Sequence, residues 1–411
     1  MQRISTMVIG AGQCGISMSR ELTRRSIDHI VLDAGQAGES WRSRRWDSLR
    51  LLTPNWMSVL AGDQYDGADP DSFMTAADFA GYLEQAVDKD ALPVQEQTSV
   101  HSVGRLGDGY IVQTNQGVIA ATNVVIATGA CIRPRVPGFA SLVPKGTEQL
   151  SPIQYRTPAD LGAGRVLVVG ASASGLQLAR ELALSGRSVT LSVGNHSRLP
   201  RSYRGADILA WMHLIHAFDE PFTKVDDLER VRRTPSLPLI GTPNSETVDI
   251  NQLQALGVEV VGRAQDVRDG KVLFSGGLDN LCQSADLKMN RLLDRIDAWV
   301  AERGFEDFVD PAQRYSPTDL PASPRLSMEL EGVDTIVWAT GFFPDHSFVD
   351  LPVFDRKGRI KHVGGCVEPG LYVMGLPHLR TARSVHIDGA ARDAKALARQ
   401  IQNQLAMPLA A

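Results

Sequence analysis

Cysteine is scarce in this chain of 411 residues, and its four thiols, at positions 14, 131, 282 and 366, lie far apart. No Cys-x-x-Cys pair occurs, which excludes a zinc ribbon and a local redox disulfide. An excess of positive charge is also missing, because 42 basic residues face 47 acidic ones and the formal net charge is −5. We therefore expect neither a nucleic acid nor an anionic membrane as a partner.

Long apolar runs are absent as well. None approaches the roughly eighteen residues that a membrane-crossing helix needs, and a strand predicted at residues 4–9 leaves no room for a signal peptide. We therefore expect a soluble, cytoplasmic protein. What the chain does have is 43% hydrophobic residues, which excludes disorder and is enough for two or three domains.

A glycine-rich turn near the start of the chain carries the first chemical signal. Gly10, Gly12 and Gly15 follow the first predicted strand and open a predicted helix, and Asp33 ends the next strand. In such a turn the first glycine makes the bend, the second lets backbone approach a pyrophosphate, and the third lets the helix pack on the strand. The helix N-terminus supplies free N–H groups, and the acid can bind a ribose. These residues predict a dinucleotide site.

A second turn of the same kind begins at Gly170 and ends at Gly175, with Ser172 in the place of the middle glycine. The next predicted strand is followed by no acid but by polar and basic residues, namely Asn195, His196, Arg198, Arg201 and Arg204. A carboxylate would repel a ribose 2′-phosphate, whereas Arg198 would attract it, which favours NADPH over NADH. The alternative is a degenerate turn that binds nothing.

Two such turns predict an α/β fold with two Rossmann-like dinucleotide-binding domains. Other local patterns support a regular fold. The spacing of Thr75 and Asp78 predicts a capping box that opens a helix, and residues 281–300 have helical spacing of apolar side chains.

Short motifs along nearly the whole chain match one known family. They are VIGAG at 8–12, ESW at 39–41, WDSLRLLTP at 46–54, IATG at 126–129, YR at 155–156, VG at 169–170, LPR at 199–201, WATGF at 338–342 and GLYVMG at 370–375. On these motifs the chain resembles the flavin-containing monooxygenases, including the YUCCA-like enzymes and their bacterial relatives. The resemblance implies FAD in the first site and NADPH in the second. It also implies an NADPH-binding domain, 162–332, inserted between two parts of an FAD-binding domain, 1–161 and 333–411.

The resemblance assigns further residues to the cofactors by matching position. Trp41 and Arg42 would lie along the FAD pyrophosphate, and Leu52 and Thr53 beside the isoalloxazine. Val100 would pair its backbone with adenine. Two Ala-Thr-Gly turns would serve as hinges where the domains meet. With these turns, the remaining predicted cofactor-binding residues are Gln13, Ala127, Thr128, Gly129, Ser174, Thr340 and Gly341.

Two residues are predicted to take part in catalysis. Ser151 stands where the family has a histidine, aligned through Tyr155 and Arg156. Serine cannot do the cationic work of imidazole, so we expect a poorly shielded flavin C4a-(hydro)peroxide. Asn55, beside Thr53, is the candidate for steadying that peroxide, the alternative being a loop asparagine that caps a turn.

The leading functional prediction is an NADPH-dependent FAD monooxygenase. It would form a flavin C4a-(hydro)peroxide and transfer one oxygen atom of O2 to a small organic substrate, an amine, a sulfide or a carbonyl compound. The alternatives are a flavin oxidase or reductase without oxygen transfer and a non-catalytic redox-sensing flavoprotein. No metal site is predicted, and a homodimer is one option for the assembly.

Overall fold

The computed structural model describes residues 2–406 of the chain. Residue 1 and residues 407–411, which the predicted domain boundaries include, lie outside the described residues. The described part contains two mainly parallel sheets with helices packed on them, together with short antiparallel pairs. The predicted α/β fold with two Rossmann-like domains is confirmed.

The strands of the described residues are, in chain order, β1 (Gln2–Ile9), β2 (His29–Leu32), β3 (Val94–Gln95), β4 (Val100–Leu106), β5 (Gly109–Thr114), β6 (Gly117–Ile126), β7 (Arg133–Pro134), β8 (Glu148–Leu150), β9 (Arg165–Val169), β10 (Val189–Ser192), β11 (Ser202–Tyr203), β12 (Ala206–Asp207), β13 (Glu259–Val261), β14 (Ala264–Arg268), β15 (Lys271–Phe274), β16 (Ser327–Glu329), β17 (Val333–Trp338), β18 (Phe342–Phe343), β19 (Cys366–Glu368) and β20 (Leu371–Val373).

The α-helices of the same part are α1 (Gln13–Arg24), α2 (Glu39–Ser43), α3 (Ala76–Lys89), α4 (Ala173–Leu184), α5 (Ile208–Leu214), α6 (Leu228–Val231), α7 (Ile250–Ala255), α8 (Leu278–Arg303) and α9 (Ile387–Ala406). Helix α3 starts with the predicted capping box, in which Thr75 and Asp78 exchange side-chain bonds to each other's backbone N–H. Helix α8 contains the predicted helical stretch 281–300. None of these helices has the length and hydropathy that a membrane span requires.

The first sheet has the order β19-β20-β6-β1-β2-β3, and β5 extends it beside β6. Strand β1 pairs in parallel with β2 and β6, and its last residues are buried because both faces of a parallel sheet are covered. Strand β20, near the end of the chain, pairs in parallel with β6. Helices α1 and α9 share one apolar core that contains Ile16, Leu22 and Leu397. Both ends of the described chain therefore build this unit.

The second sheet, with the order β13-β10-β9-β17-β8, is parallel throughout. Strands β8 and β17 belong to it, although the predicted boundaries placed both in the FAD-binding parts. The boundaries at 161 and 333 are therefore corrected, because β17 pairs with β9 on one side and β8 on the other. Strands β7 and β18 pair antiparallel where the chain enters and leaves this inserted unit.

Candidate functional site

The first glycine turn lies where β1, β2 and β6 end. Gly10 has a φ of +107°, and a Cβ there would lie 2.7 Å from the carbonyl oxygen of Ala127. A Cβ on Gly15 would overlap the carbonyl oxygen of Gly10. Only glycine therefore lets α1 start so close to the two strands. A Cβ on Gly12 would meet nothing within 4 Å, so open space lies in front of the N-terminus of α1.

Polar groups around this turn fit the adenosine and pyrophosphate of a dinucleotide. The Asp33 carboxylate accepts the N–H groups of Ala11 at 2.6 Å and Gly35 at 2.9 Å, and burial raises its pKa. The hydroxyl of Thr128 is buried and has no hydrogen-bond partner among the described residues. A buried hydroxyl normally has a partner, which a bound phosphate or ribose would supply.

Val100 lies close to the same crevice. The N–H of Thr98 donates to the carbonyl oxygen of Asp33 at 2.7 Å, two residues before Val100. Val100 itself is half-buried and pairs with Thr114 at the start of β4. Its predicted adenine contact stays a prediction.

A cavity of about 2060 Å³ lies between the two units. This volume exceeds the roughly 300–1,000 Å³ that hold one small ligand. Predicted residues of both units line it, namely Gln13, Trp41, Leu52, Thr53, Gly170, Ser172, Ser174, Asn195, Thr340 and Gly341. The cavity therefore joins the residues that were predicted to hold FAD and NADPH.

Trp41 lies in the cavity wall and is held from two sides. Its Nε1 donates to Gln13 Oε1 at 3.2 Å, and its ring packs edge-on against Phe79. Arg42, by contrast, forms an ion pair with Glu84 and does not line this cavity, so its predicted place along a pyrophosphate stays a prediction.

Arg44 and Arg45 are the basic residues of residues 42–45 that line the cavity, and Arg45 packs against Trp41. The guanidinium of Arg45 lies 4.8 Å from the centroid of the Trp41 ring, and burial lowers the pKa of Arg45. The run of three arginines within residues 42–45 signals a basic segment, but the sequence does not show which side chain faces inward.

The second glycine turn has the same backbone as the first. Gly170 has a φ of +114°, and a Cβ there would overlap the carbonyl oxygen of Ala339. A Cβ on Gly175 would overlap the carbonyl oxygen of Gly170. The hydroxyl of Ser172 donates to the carbonyl oxygen of Ser236 at 3.3 Å. This preserved geometry argues against a degenerate turn.

Arg198 does not face the cavity, which corrects its predicted role. Its Nε and Nη2 donate to Asp249 Oδ2 at 3.0 and 2.7 Å, and Nη1 donates to Asp286 Oδ1 at 2.8 Å. Only 7% of Arg198 is exposed. Two carboxylates neutralise the guanidinium, so it has no capacity left for a ribose 2′-phosphate.

The other polar residues predicted after β10 are also turned inward, apart from Asn195. Arg201 is fully buried and donates to Asp207 Oδ2 at 2.8 Å. His196 is buried with its Nδ1 3.1 Å from the carbonyl oxygen of Gly194. Arg204, too, is paired with a carboxylate. The predicted cofactor roles of His196 and Arg201 are therefore wrong.

Arg263 is the basic residue that the sequence analysis missed. It follows β13, is exposed and lines the cavity. A Cβ on Gly194 would lie 3.3 Å from its Nε. Arg263 therefore reaches the end of β10, the position that corresponds to Asp33 in the first unit. Its location two residues after a third parallel strand is a signal that could have found it.

Neither predicted catalytic residue faces the cavity. The Asn55 amide donates to the carbonyl oxygen of Asp69 at 2.9 Å and accepts the N–H of Met74 at 2.9 Å. It is therefore the loop-capping asparagine of the alternative interpretation. Ser151 is 1% exposed and its hydroxyl donates to Gln154 Oε1 at 2.7 Å. These bonds hold both side chains outside the cavity lining, so both catalytic predictions are corrected.

Comparison with known proteins identifies the family. The family model described as pyridine nucleotide-disulphide oxidoreductase matches residues 7–212, which contain both glycine turns. The chain belongs to the pyridine nucleotide-disulphide oxidoreductase family. It is an enzyme, an oxidoreductase, and its predicted resemblance to the flavin-containing monooxygenases is confirmed.

The proteins to which this chain is similar match most of its length. An uncharacterized CzcO-like oxidoreductase of Geobacillus kaustophilus is 31% identical and covers 97% of this chain and 99% of its own length. The rice indole-3-pyruvate monooxygenase YUCCA1 is 26% identical over 72% of this chain and 79% of its own length. The flavin-containing monooxygenase of Stenotrophomonas maltophilia superimposes with a TM-score of 0.68 at 20% identity, covering 99% of this chain and all of its own. The last comparison confirms the fold.

Proposed function

We propose that this oxidoreductase is an NADPH-dependent FAD monooxygenase that transfers one oxygen atom of O2 to a small organic substrate. Amines, sulfides and carbonyl compounds all remain candidate substrates. The observation that carries the proposal is that residues from both glycine turns, Gln13 and Ser172 among them, line one cavity of about 2060 Å³. A hydride can pass between two cofactors only when their reactive rings meet in one such space.

FAD fits the first unit. The open space before Gly12 and the first N–H groups of α1 suit the pyrophosphate. Asp33 suits the ribose, and the unpartnered hydroxyl of Thr128 suits a phosphate or ribose oxygen. Arg45 supplies positive charge from the cavity wall. Bound FAD would supply the chemistry of the reaction, accepting a hydride and activating O2.

NADPH fits the second unit. The first N–H groups of α4, which starts after Ser172, suit the pyrophosphate. The end of β10 carries no acid, and Arg263 lies beside Gly194 at that position. Arg263 can therefore attract a ribose 2′-phosphate, which supports NADPH over NADH.

The part of the cavity wall formed by residues 376–387 would set the charge and the hydrogen bonding around the reacting groups. Helix α9 begins at Ile387, which lines the cavity, so the positive end of its dipole favours negative charge there. His378 and His386 line the same wall, and burial lowers the pKa of both imidazoles. They are therefore neutral at pH 7 and can each donate one hydrogen bond and accept another.

The test is the balance of NADPH, peroxide and product for the purified holoenzyme. We expect slow NADPH oxidation alone and faster oxidation with thioanisole, trimethylamine or cyclohexanone, accompanied by an equivalent amount of oxygenated product. Fast hydrogen peroxide release that no substrate changes would assign the enzyme to the oxidases. A flavin that NADPH does not reduce would support the redox-sensor alternative.

A further inference from the structure

Arg232 is a cavity-lining arginine that forms no ion pair with a carboxylate of residues 2–406. It follows α6 and is only partly exposed. Its Nε is buried without any hydrogen-bond partner among the described residues. Its Nη2 has one polar contact, with His362 Nε2 at 3.3 Å. Burial lowers the pKa of the guanidinium, and the charge of Arg359 lowers it further, while the charge of Glu229 offsets part of this effect.

The nearest carboxylate is engaged elsewhere. Glu229, three residues earlier, accepts from Arg359 at 2.7 Å and from Arg233 at 3.4 Å. Arg359 also pairs with Asp355 at 2.7 Å. Glu229 and Asp355 are thus already paired with Arg359 and Arg233. Arg232 is not part of these ion pairs and faces the cavity.

The surroundings of Arg232 are otherwise neutral. His362 and His346 have pKa values near 4, because burial and neighbouring positive charge disfavour the imidazolium forms. His378 also has a lowered pKa, from burial and from Arg232. Phe218 and Leu376 contribute apolar surface to the same cavity. A partly apolar stretch of cavity wall that carries an unpaired guanidinium is suited to an organic anion.

We propose that Arg232 is the anchor for a carboxylate, and that the oxygen-accepting substrate is therefore a small organic acid. This inference rests on the proposed function and narrows its substrate class. Arg232 can bind the carboxylate through two N–H groups, and His362 Nε2, which accepts an N–H of Arg232, holds the guanidinium in place. The apolar part of the acid would then lie along the wall formed by Phe218 and Leu376.

A phosphate of the coenzyme is the other anion within reach. Ser236, four residues after Arg232, contacts Ser172 in the second glycine turn. However, the polar neighbours of Arg232 are His362 and His378, which flank the strands β19 and β20 of the first sheet. This location favours the substrate over the coenzyme.

The test compares the binding of phenylacetate and phenylacetamide to the holoenzyme by calorimetry. The two probes have the same shape and differ in charge. We expect Arg232→Gln to weaken phenylacetate binding about 10- to 100-fold while leaving the amide unchanged. Arg232→Lys should keep part of the affinity. Arg233→Gln is the matched control, because Arg233 lies on the same segment but is paired with Glu229. Flavin absorbance and the unfolding midpoint confirm that each variant is folded.

Three outcomes would overturn the proposal. They are equal binding of the two probes to the wild-type enzyme, equal loss in Arg232→Gln and Arg233→Gln, and a raised Kd for NADPH in Arg232→Gln with phenylacetate binding intact. The last result would assign Arg232 to a coenzyme phosphate. Binding is measured without turnover. Phenylacetate binding at Arg232 can therefore be confirmed even if the enzyme transfers no oxygen, and it can be disproved even if the enzyme is a monooxygenase.

Discussion

Gly12 and Ser172 occupy the same backbone position in the two glycine turns, with φ and ψ of −82° and −172° for Gly12 and −89° and −173° for Ser172. This extended conformation is open to every residue, so serine enters the second turn without backbone strain. The glycine at position 12 is therefore not required by the fold. Its missing side chain is explained by the pyrophosphate that we propose to lie against it.

Gly12→Val should abolish flavin binding and leave the protein folded. A Cβ at this position meets nothing within 4 Å in the protein, so the new side chain would fill only the space proposed for the cofactor. The measurement is the visible flavin absorbance of the purified variant together with its circular dichroism. Gly15→Val is the contrasting variant, because its side chain would overlap the carbonyl oxygen of Gly10 and should disrupt folding. A yellow Gly12→Val protein would place the flavin elsewhere.

Arg263→Gln should raise the KM for NADPH about tenfold or more and leave the KM for NADH nearly unchanged. The reason is the loss of one charge-assisted contact to the 2′-phosphate beside Gly194. Steady-state kinetics with both coenzymes measures the ratio. Arg268→Gln serves as the control, because Arg268 lies outside the cavity and pairs with Asp266. An equal rise in the KM for NADPH and for NADH would mean that Arg263 does not bind the 2′-phosphate.

The parts of the site that the sequence predicted correctly are those fixed by local backbone geometry. Gly10 and Gly170 need a positive φ, and the capping box at Thr75 joins residues three positions apart. Such requirements depend only on residues that are close together in the sequence. Short motifs therefore predict both turns and α3 correctly. Strands β8 and β17 pair only across long stretches of chain, so the domain boundaries were misplaced.

The side chains that were predicted wrongly depend mainly on tertiary partners. Arg198 is bound by Asp249, 51 residues away in the chain, and by Asp286, 88 residues away. A family motif supplies the residue type at a position, but the direction of a long side chain follows from which partner packing brings near it. The position of Arg263 two residues after β13 marks it as a candidate, but the sequence does not show that its side chain reaches Gly194.

Arg198→Ala should destabilise the protein without changing coenzyme preference. The change leaves Asp249 and Asp286 with no guanidinium partner, and breaking a buried ion pair typically costs about 3–5 kcal/mol. The free energy of unfolding in urea measures this loss, and the ratio of KM values for NADPH and NADH should stay at its wild-type value. Selective loss of NADPH affinity in a variant of normal stability would contradict the ion-pair role.

Mild acid should destabilise the protein through His346 and His362. Both have pKa values near 4 in the folded protein, against an ordinary value of 6.5 that applies after unfolding. Between these pH values the two histidines are protonated in the unfolded chain but neutral in the folded protein. The free energy of unfolding therefore falls as the pH drops from 6.5 towards 4. Each histidine should contribute about 2 kcal/mol of loss between pH 6.5 and pH 5.

The measurement that checks this pH dependence is urea unfolding of the wild type and of His362→Gln at pH 7 and pH 5. Glutamine does not titrate, so the variant should lose about 2 kcal/mol less than the wild type over this interval. His216→Gln is the control, because that imidazole is exposed and pairs only with Asp219. Equal acid losses in the wild type and in His362→Gln would mean that His362 takes up its proton in the folded state. Arg232 would then lie beside a cation, and His362 could no longer serve as its neutral neighbour.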